Sequence, residues 1–587
     1  MPRILTNSAG PDTSAKRTDE NLFRLADGTL LAPFIGSILH QRGIIGQGAM
    51  RSFLEPKLQD LPSPFLMKDM QQAVKIIERA ISENQEILIW GDYDVDGTTA
   101  TALLFTFFQA LGHKSIRFHI PNRLTEGYGL NRKSLLELSK VTKSKNRVLI
   151  TVDNGISAFD EVLFAQELGY ITIVTDHHTP SQARVSADAV LNVKQQDCNF
   201  PDKDLSGVGM AFYLAMGIRS HLGQRNFFKD SKGIPNLKSL LDLVAIGTIA
   251  DMVPLLGINR LLVKAGMETI AQGTNHGLTA LCRQTNIDSN RIRSEDISFQ
   301  LAPKINAVGR LGNAKKAVEL FLSNTRKEAT VLANELVEDN KRRRHISLKE
   351  YQKAQKQRIK SGQEDDSSIV VAGGYHVGVA GIVAANLTEE FGKPTVILCE
   401  CEGDLLKGSA RSVPGVNLYQ ALEECSEVLL TYGGHEMAGG MALEAKKLPV
   451  FKKLFDDAVF KQTQGQSYKK SIEADCDLEI AELFTGNMLD QLYLLEPFGE
   501  GNPQLNFRDL DARIERISAI GDGKEHLRFS FINGKSRING VGFGLGNKIK
   551  EYRGKGVKEI LYTPTINFFK GRSKWEVRVS KVEVVGK

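Results

Sequence analysis

Six aspartates and two histidines in this chain occur in a pattern that could hold divalent cations. Asp92, Asp94 and Asp96 alternate in Gly-Asp-Tyr-Asp-Val-Asp-Gly at 91–97, directly after the apolar run 87–90. Asp153 follows a second apolar run, 148–152. Asp176, His177 and His178 follow a third, 171–175. Asp251 stands in Ala-Asp-Met-Val-Pro-Leu at 250–255. Carboxylates in such numbers cannot crowd together at neutral pH unless cations offset their charge. Carboxylate and imidazole donors suit Mn2+ or Mg2+ better than zinc, which favours thiolates. Two such ions about 3.5–4 Å apart can activate a water and stabilise both oxygens of an in-line phosphoryl displacement. Each piece alone has a plainer reading. The triple-Asp turn is also a calcium loop or an ordinary turn, paired histidines are often structural, and Asp251 could cap a helix. The order and spacing of all four together favour a metal centre.

The elements around these residues point to an α/β fold. Continuous apolar strands at 87–90, 148–152, 171–175 and 189–191 alternate with helices at 98–111 and near 158–168. That pattern predicts a parallel sheet covered on both faces, whose carboxyl-end crevice gathers ligands. Helical periodicity dominates from Gly207 to about Ile270. Residues 341–360 carry nine Lys/Arg against one Glu. So polar a helix is expected to be exposed or to bridge domains. A second α/β segment follows, from Ile369 to about Phe460. After a polar linker at 462–469, short alternating strands such as 526–531 and 575–579 predict a small all-β domain. Asn533-Gly534 and Asn539-Gly540 are read as its turns.

The composition is ordinary for a globular protein, at 42% hydrophobic and 25% charged. At 587 residues several domains are expected. No apolar run is long enough to span a bilayer, and the first residues lack a secretory h-region. The expectation is a cytoplasmic protein without membrane contact. The six cysteines include no CxxC pair, so a zinc ribbon or redox motif is not supported. The net charge is +6, yet residues 546–587 alone hold eleven Lys/Arg against four Asp/Glu. A basic end on a nearly neutral body suggests a polyanion-binding module. Its aromatics Tyr552, Tyr562, Phe568, Phe569 and Trp575 could serve as stacking platforms, with about half expected in the core.

The segments GDYDVDG (91–97), TVDNGI (151–156), TDHHT (175–179) and DMVPL (251–255) resemble the DHH phosphoesterase superfamily. Longer stretches resemble its bacterial RecJ exonuclease family: PNRLTEGYGLN (121–131), PKINAVGRL (303–311), HVGVAGIVA (376–384), KGSARS (407–412), GGHEMAGG (433–440) and LEPFGEGNP (495–503). The resemblance implies a DHH parallel-sheet domain and a DHHA1 α/β domain joined by a long helix, then a C-terminal all-β OB-fold. The expected boundaries are a tail and leader over 1–81, the DHH domain over 82–339 and the connector over 340–365. The DHHA1 domain is expected over 366–462 and the OB-fold over 471–587.

By the same resemblance, Asp94, Asp96, Asp153, His177 and Asp251, with Asp92 a weaker candidate, bind two Mn2+ or Mg2+ ions. Asp153 would bridge them, and His178 would lie near the reacting phosphate, so that Asp94, Asp153 and His178 form the catalytic group. Arg123, Arg310, Ser409, Arg411, Gly434 and His435 are the implied DNA contacts. The implied activity is 5′→3′ exonucleolysis of single-stranded DNA to nucleoside 5′-monophosphates, in repair and recombination. A helicase and a single-stranded-DNA-binding protein are the expected partners, since no P-loop motif is present, and a monomer is expected. Tyr375, Asn386 and Val193 depart from the family pattern. The competing readings are a phosphodiesterase for very short oligonucleotides or cyclic dinucleotides, and a non-catalytic scaffold.

Overall fold

The computed structural model describes residues 23–141, 146–228, 233–362, 365–468, 472–534, 536–569 and 572–585. Its first sheet is parallel, in the order β2-β1-β3-β4-β5. The strands are β1 (Glu86–Trp90), β2 (Ile116–His119), β3 (Arg147–Val152), β4 (Tyr170–Thr175) and β5 (Ala189–Leu191). Alternate residues feed two cores. Ile87, Ile89, Val148 and Ile150 join one, and Leu88, Trp90 and Leu149 the other. A sheet buried on both faces needs apolar residues at every position, which is why these strands read as continuous runs. The edge strand β2, half-buried throughout, lacks that signal, and the apolar pattern does not reveal it.

Helices cover the first face: α1 (Met70–Ser82), α2 (Val95–Ala110), α3 (Gly207–Gln224), α4 (Leu241–Ala250) and α5 (Gly257–Gln272). Helix α1 lies inside the stretch expected as a leader. Its Met70, Ala73, Val74, Ile77 and Ala80 are buried in the same core as β1 and β3. After α6 (Ala302–Arg310) comes the long helix α7 (Arg326–Lys360), of 35 residues. It starts well before Asn340. Thr325 caps it, its hydroxyl accepting from Glu328 N–H at 3.2 Å, and Ala329, Ala333 and Leu336 anchor its first half in the core beneath the first sheet. Ala354 anchors the other end among residues of the second lobe. The basic run marks the mostly exposed second half of the helix rather than its start.

The second lobe is a mixed sheet, order β6-β7-β8-β10-β9. It comprises β6 (Ile369–Gly373), β7 (Thr395–Cys401), β8 (Leu405–Arg411), β9 (Thr431–Gly434) and β10 (Ala438–Glu444). Helix α8 (Val377–Phe391) packs on it.

The C-terminal domain is a seven-stranded sheet, order β11-β12-β16-β17-β15-β14-β13, in which β11 (Cys476–Asp477), β12 (Phe507–Asp509) and β13 (Ile514–Ile520) are the shorter strands. Its long strands are β14 (His526–Asn533), β15 (Ser536–Gly542), β16 (Val557–Phe569) and β17 (Arg572–Val584). Asn533-Gly534 falls between β14 and β15 as expected. Asn539-Gly540 is not a turn: Asn539 pairs with Ser530, and Gly540 with both Phe529 and Val577. A Cβ on Gly540 would lie 2.8 Å from the Phe531 ring and 2.9 Å from Val577, so the glycine permits close strand packing.

The N-terminal stretch from Phe23 is also no separate tail. Phe23, Leu31, Ile35, Leu39, Phe53 and Leu54 share one core with Phe507, Phe529 and Tyr562. Removing the chain beyond Ser471 would strip these residues of their partners.

The junction of that core with the domain of the first sheet is fixed by Arg260 on α5. It is fully buried over the Phe53 ring (3.6 Å). It donates to the carbonyls of Phe53 (2.7 Å), Leu494 (3.1 Å), Leu495 (3.1 Å) and Pro497 (3.4 Å). Burial pushes its pKa down to about 9. Among the described residues no helix is long and apolar enough to cross a membrane.

Candidate metal centre and substrate cleft

The carboxyl ends of β1, β3 and β4 deliver the acidic motifs to one crevice. Asp92 lies just beyond β1. Asp94 caps α2, its Oδ1 accepting from Gly97 N–H at 3.0 Å. Gly97 cannot carry a side chain, because a Cβ there would sit 2.6 Å from the Asp92 backbone. Asp96, in the first turn of α2, accepts from the N-terminus of α3: Gly207 N–H at 2.6 Å and Val208 N–H at 2.8 Å. Asp153 directly follows β3 in the left-handed region, φ 62°, and a Cβ on Gly207 would touch it at 2.7 Å. Asp251 follows the C-terminus of α4. A carboxylate there meets the negative end of the helix dipole, so capping does not explain it.

His177 is buried at the centre. Its Nε2 lies 3.2 Å from Asp153 Oδ1, 3.5 Å from Asp251 Oδ2 and 4.0 Å from Asp96 Oδ2. Asp92 Oδ1, Asp153 Oδ1, Asp251 Oδ2 and both His177 ring nitrogens are buried without a hydrogen-bond partner. Unsatisfied buried groups are costly, and so many in one place call for a ligand. Three sets of donor atoms lie within 4.8 Å of one another: Asp92–Asp94–Asp153, Asp96–His177–Asp251 and Asp153–His177–His178. The residues therefore fit hard divalent cations, and Asp153 belongs to two of the three sets.

Asp176 has no role in the site on sequence grounds beyond its place in the motif. In the structure its Oδ1 accepts from His177 N–H (2.7 Å) and His178 N–H (3.1 Å) and lies 2.8 Å from His178 Nδ1. Its Oδ2 accepts from Ile156 N–H at 2.9 Å. It thus ties both histidines to the turn after Asp153, the usual task of an outer carboxylate. Its place at a strand end, like that of Asp153, is the signal that could have found it.

The electrostatics follow from burial and crowding. Burial, then the nearby Asp94, raises Asp92 to about 8 and Asp96 to about 7. Burial, then Asp96, raises Asp153 and Asp251 well above the carboxylate range. Burial, then His178, lowers His177 to about 3, leaving a neutral imidazole with a free lone pair. The bond to Asp176 raises His178. Burial opposes ionisation of Asp176, but the bond and charge of His178 win and its pKa is lowered.

These directions set a pH dependence. In the cation-free protein Asp92 and Asp96 keep protons near pH 7, which a divalent cation must displace. Cation loading is expected to release protons at pH 7 and to tighten as pH rises from 6 to 8.5. Folded-state pKa values above the unfolded value of 3.8 mean that the contribution of Asp92 and Asp96 to the stability of the cation-free fold is full below about pH 4 and lost as pH rises through 7–8. The rise in Tm on adding Mn2+ should therefore grow with pH. Titration calorimetry in buffers of different ionisation enthalpy measures the released protons, and none at pH 7 would contradict this electrostatic account.

Beside the metal candidates the two lobes present cations. The Arg123 guanidinium lies between the rings of Tyr93 (5.2 Å) and Tyr128 (5.1 Å). Arg310 ends α6 and donates to Gly378 O at 3.4 Å, at the start of α8. Burial, then Arg123, with Arg411 also contributing, pushes its pKa down to about 10. Arg411 is likewise lowered by burial, then by Arg123. Its Nη1 lies 3.2 Å from Ser409 Oγ, and a Cβ on Gly381 would meet both side chains at 2.9 Å. Three like charges thus converge from both lobes. Gly434, φ 137°, and His435 form the exposed β9–β10 hairpin, whose Ala438 pairs with Arg411. Among the departures from the family pattern, Tyr375 and Val193 are buried, Tyr375 donating to Gln357 Oε1 at 2.7 Å. Asn386 lines a groove between α7 and α8.

The DHH family, N-terminal domain, matches over residues 86–248, the DHHA1 domain over 366–461 and the RecJ OB domain over 474–581. The single-stranded-DNA-specific exonuclease RecJ of Escherichia coli K12 is 33% identical over 532 residues, which cover 88% of this chain and 90% of that one. The chain belongs to the RecJ family. The RecJ of Bacillus subtilis 168 is 35% identical over 517 residues, but this chain spans only 63% of its length. The crystal structure of RecJ from Thermus thermophilus in complex with Mn2+ superposes with a TM-score of 0.76 at 28% identity. That match covers 95% of this chain and 76% of the other. With the DHH, DHHA1 and OB domains all matched, the expected RecJ architecture holds for this chain.

Proposed function

We propose that this RecJ-family chain degrades single-stranded DNA from the 5′ end to nucleoside 5′-monophosphates, with Mn2+ or Mg2+ as cofactor. The observation that carries the reading is the set of buried, unpartnered carboxylate and imidazole atoms beside an arginine-lined cleft. Asp92, Asp94, Asp96, Asp153, His177 and Asp251 would hold two cations. Bound there, such ions supply Lewis acidity and a water of lowered pKa. Asp153, shared between two donor sets, would belong to both ions. Asp176 holds the Nδ1 side of His178, so its Nε2 is the atom that would face a phosphate oxygen, and its raised pKa favours a donating imidazolium. Arg123, Arg310, Ser409 and Arg411 would hold the strand's phosphates, with Gly434 and His435 closing the cleft.

A role in repair and recombination, a cytoplasmic setting, a monomeric state and cooperation with a helicase and a single-stranded-DNA-binding protein belong to the same proposal. The test is a long single strand labelled at either end, with Mn2+, Mg2+ or EDTA. The proposal expects mononucleotide from the 5′ label at once, late loss of the 3′ label and no reaction in EDTA. Digestion confined to the shortest oligonucleotides, or release from the 3′ label first, would overturn it.

A further inference from the structure

The loop 121–131, between β2 and the helix Arg132–Val141, carries Arg123 and Tyr128 but is itself neither strand nor helix. Its shape must therefore be fixed by side chains rather than by a backbone ladder. One side chain reaches both ends of it. Glu126, in the middle of the loop, accepts from Asn122 N–H through Oε1 at 3.1 Å. Its Oε2 accepts from Ser134 Oγ at 2.6 Å and from Asn131 Nδ2 at 3.4 Å, and lies 2.9 Å from His119 Nε2. His119 is the last residue of β2, and Ser134 lies in the first turn of the helix. Burial opposes ionisation of Glu126, but the bonds from Ser134, Asn122 and His119 win and its pKa is lowered.

The same loop hangs from β1. The His119 ring lies against Trp90, with centroids 4.4 Å apart, and Trp90 Nε1 donates to Gly129 O at 3.1 Å. Trp90 directly precedes Gly91 and Asp92, so the loop and the first acidic motif share one support. Gly127 and Gly129, with φ 84° and 63°, let the chain turn on either side of Tyr128. Arg123 depends on that shape. Its guanidinium is flanked by Tyr93, from the acidic motif, and by Tyr128, from the other limb of the loop. Its Nε is buried without a partner. Glu126 bonds His119 and neutral donors instead, so it orders the loop without neutralising the cation three residues away.

We propose that Glu126 is a positioning residue: by closing the loop at both ends it holds Arg123 and Tyr128 at the spacing that lets the Arg123 guanidinium meet a strand phosphate beside the acidic site. The proposal rests on the reading of Arg123 as a phosphate contact. A carboxylate is required because the Asn122, Asn131 and Ser134 groups all aim hydrogens at it. Glutamine has the same shape, but its NH2 must face either Asn122 N–H or the donors of Asn131 and Ser134, which leaves a bond unmade.

The test is a double-mutant cycle on the full chain, read as kcat/KM with Mn2+ and as Kd in EDTA, both for a 5′-phosphorylated single strand. Glu126→Gln and Arg123→Ala are each expected to weaken both readouts about tenfold, and the double variant no further than Arg123→Ala alone. The rise in Tm with Mn2+ should match wild type in every variant, because no metal candidate is altered. Circular dichroism checks the fold. Should Glu126→Gln not fold, Ser134→Ala removes the 2.6 Å bond alone and takes its place in the cycle, with about a threefold loss. Wild-type values for Glu126→Gln, or losses that multiply in the double variant, would overturn the positioning role. Wild-type binding by Arg123→Ala would overturn the Arg123 reading and with it the route through which Glu126 acts. A wild-type chain that binds the strand but cuts no single strand would overturn the nuclease reading, and the Kd cycle would still decide Glu126.

Discussion

Asp153→Ala will lose turnover by roughly 10³-fold or more, at least about 4 kcal/mol of barrier, while binding single strands within a few-fold of wild type. Asp153 Oδ1 is buried and unpartnered, it lies 3.2 Å from His177 Nε2, and the residue belongs to two of the three donor sets. Of the two residues that belong to two sets, Asp153 and His177, Asp153 is the carboxylate. On the proposed reading strand affinity rests on Arg123, Arg310 and Arg411, which the substitution does not touch. A second signature separates a cation ligand from a structural carboxylate. Burial and the neighbouring aspartates hold Asp153 well above the carboxylate range, so at neutral pH the cation-free fold forms only by putting a proton on a group that is ionised in the unfolded chain, which costs stability. The variant should therefore match or exceed wild type in Tm in EDTA, and lose most of the rise that Mn2+ gives. Near-normal hydrolysis in Mn2+, or an undiminished Mn2+ effect on Tm, would remove Asp153 from the centre.

The DHH sheet and the acidic ends of its strands are legible in the sequence because both signals are local. A strand buried on two faces is a continuous apolar run, and an aspartate just beyond it lies at the crevice by construction. Signals that depend on distant chain are not readable in this way. Residues 23–54 look like a loose leader, yet Phe23, Ile35 and Phe53 find their partners in Phe507, Phe529 and Tyr562. Tyr552 and Tyr562, considered as stacking platforms, are core residues at 2% and 0% exposure. Trp575 is half-buried, and the side chains of Phe568 and Phe569 lie outside the described residues. The exposed aromatic surface comes from Phe299 and Phe543 instead, where a π-turn and a strand end override what composition suggests. Asn539-Gly540 has turn chemistry, but the ladder to β14 and β17 outweighs it.

Arg411→Ala is expected to slow digestion of 5′-phosphorylated strands by one to two orders of magnitude, about 1.5–3 kcal/mol, and to shrink their advantage over 5′-hydroxyl strands. Arg411, Ser409, Arg123 and Arg310 come together from both lobes, and burial together with the mutual repulsion of the guanidiniums lowers the pKa of Arg310 and Arg411. Like charges are not gathered in a half-buried cleft for stability, since each raises the cost of the others. A dianionic end group offsets that cost better than an internal diester does, because it brings the extra negative charge. Arg123 is held by the rings of Tyr93 and Tyr128, and Arg411 by Ser409 and its own strand, so neither needs a carboxylate partner to keep its orientation. The alternative, that Arg411 is a surface ion pair, finds no acid among its described partners. Kinetics on matched strands with and without the 5′-phosphate decide between the remaining roles. A loss confined to the phosphorylated strand marks an end-group pocket, equal losses mark general backbone binding, and no loss would show that the cluster serves the fold alone. Burial and Arg123 are the main causes of the lowered Arg310 pKa, and both remain in Arg411→Ala. Circular dichroism on the variant separates lost activity from unfolding, because truncation also removes the bonds of Arg411 to Ser409 and Ala410.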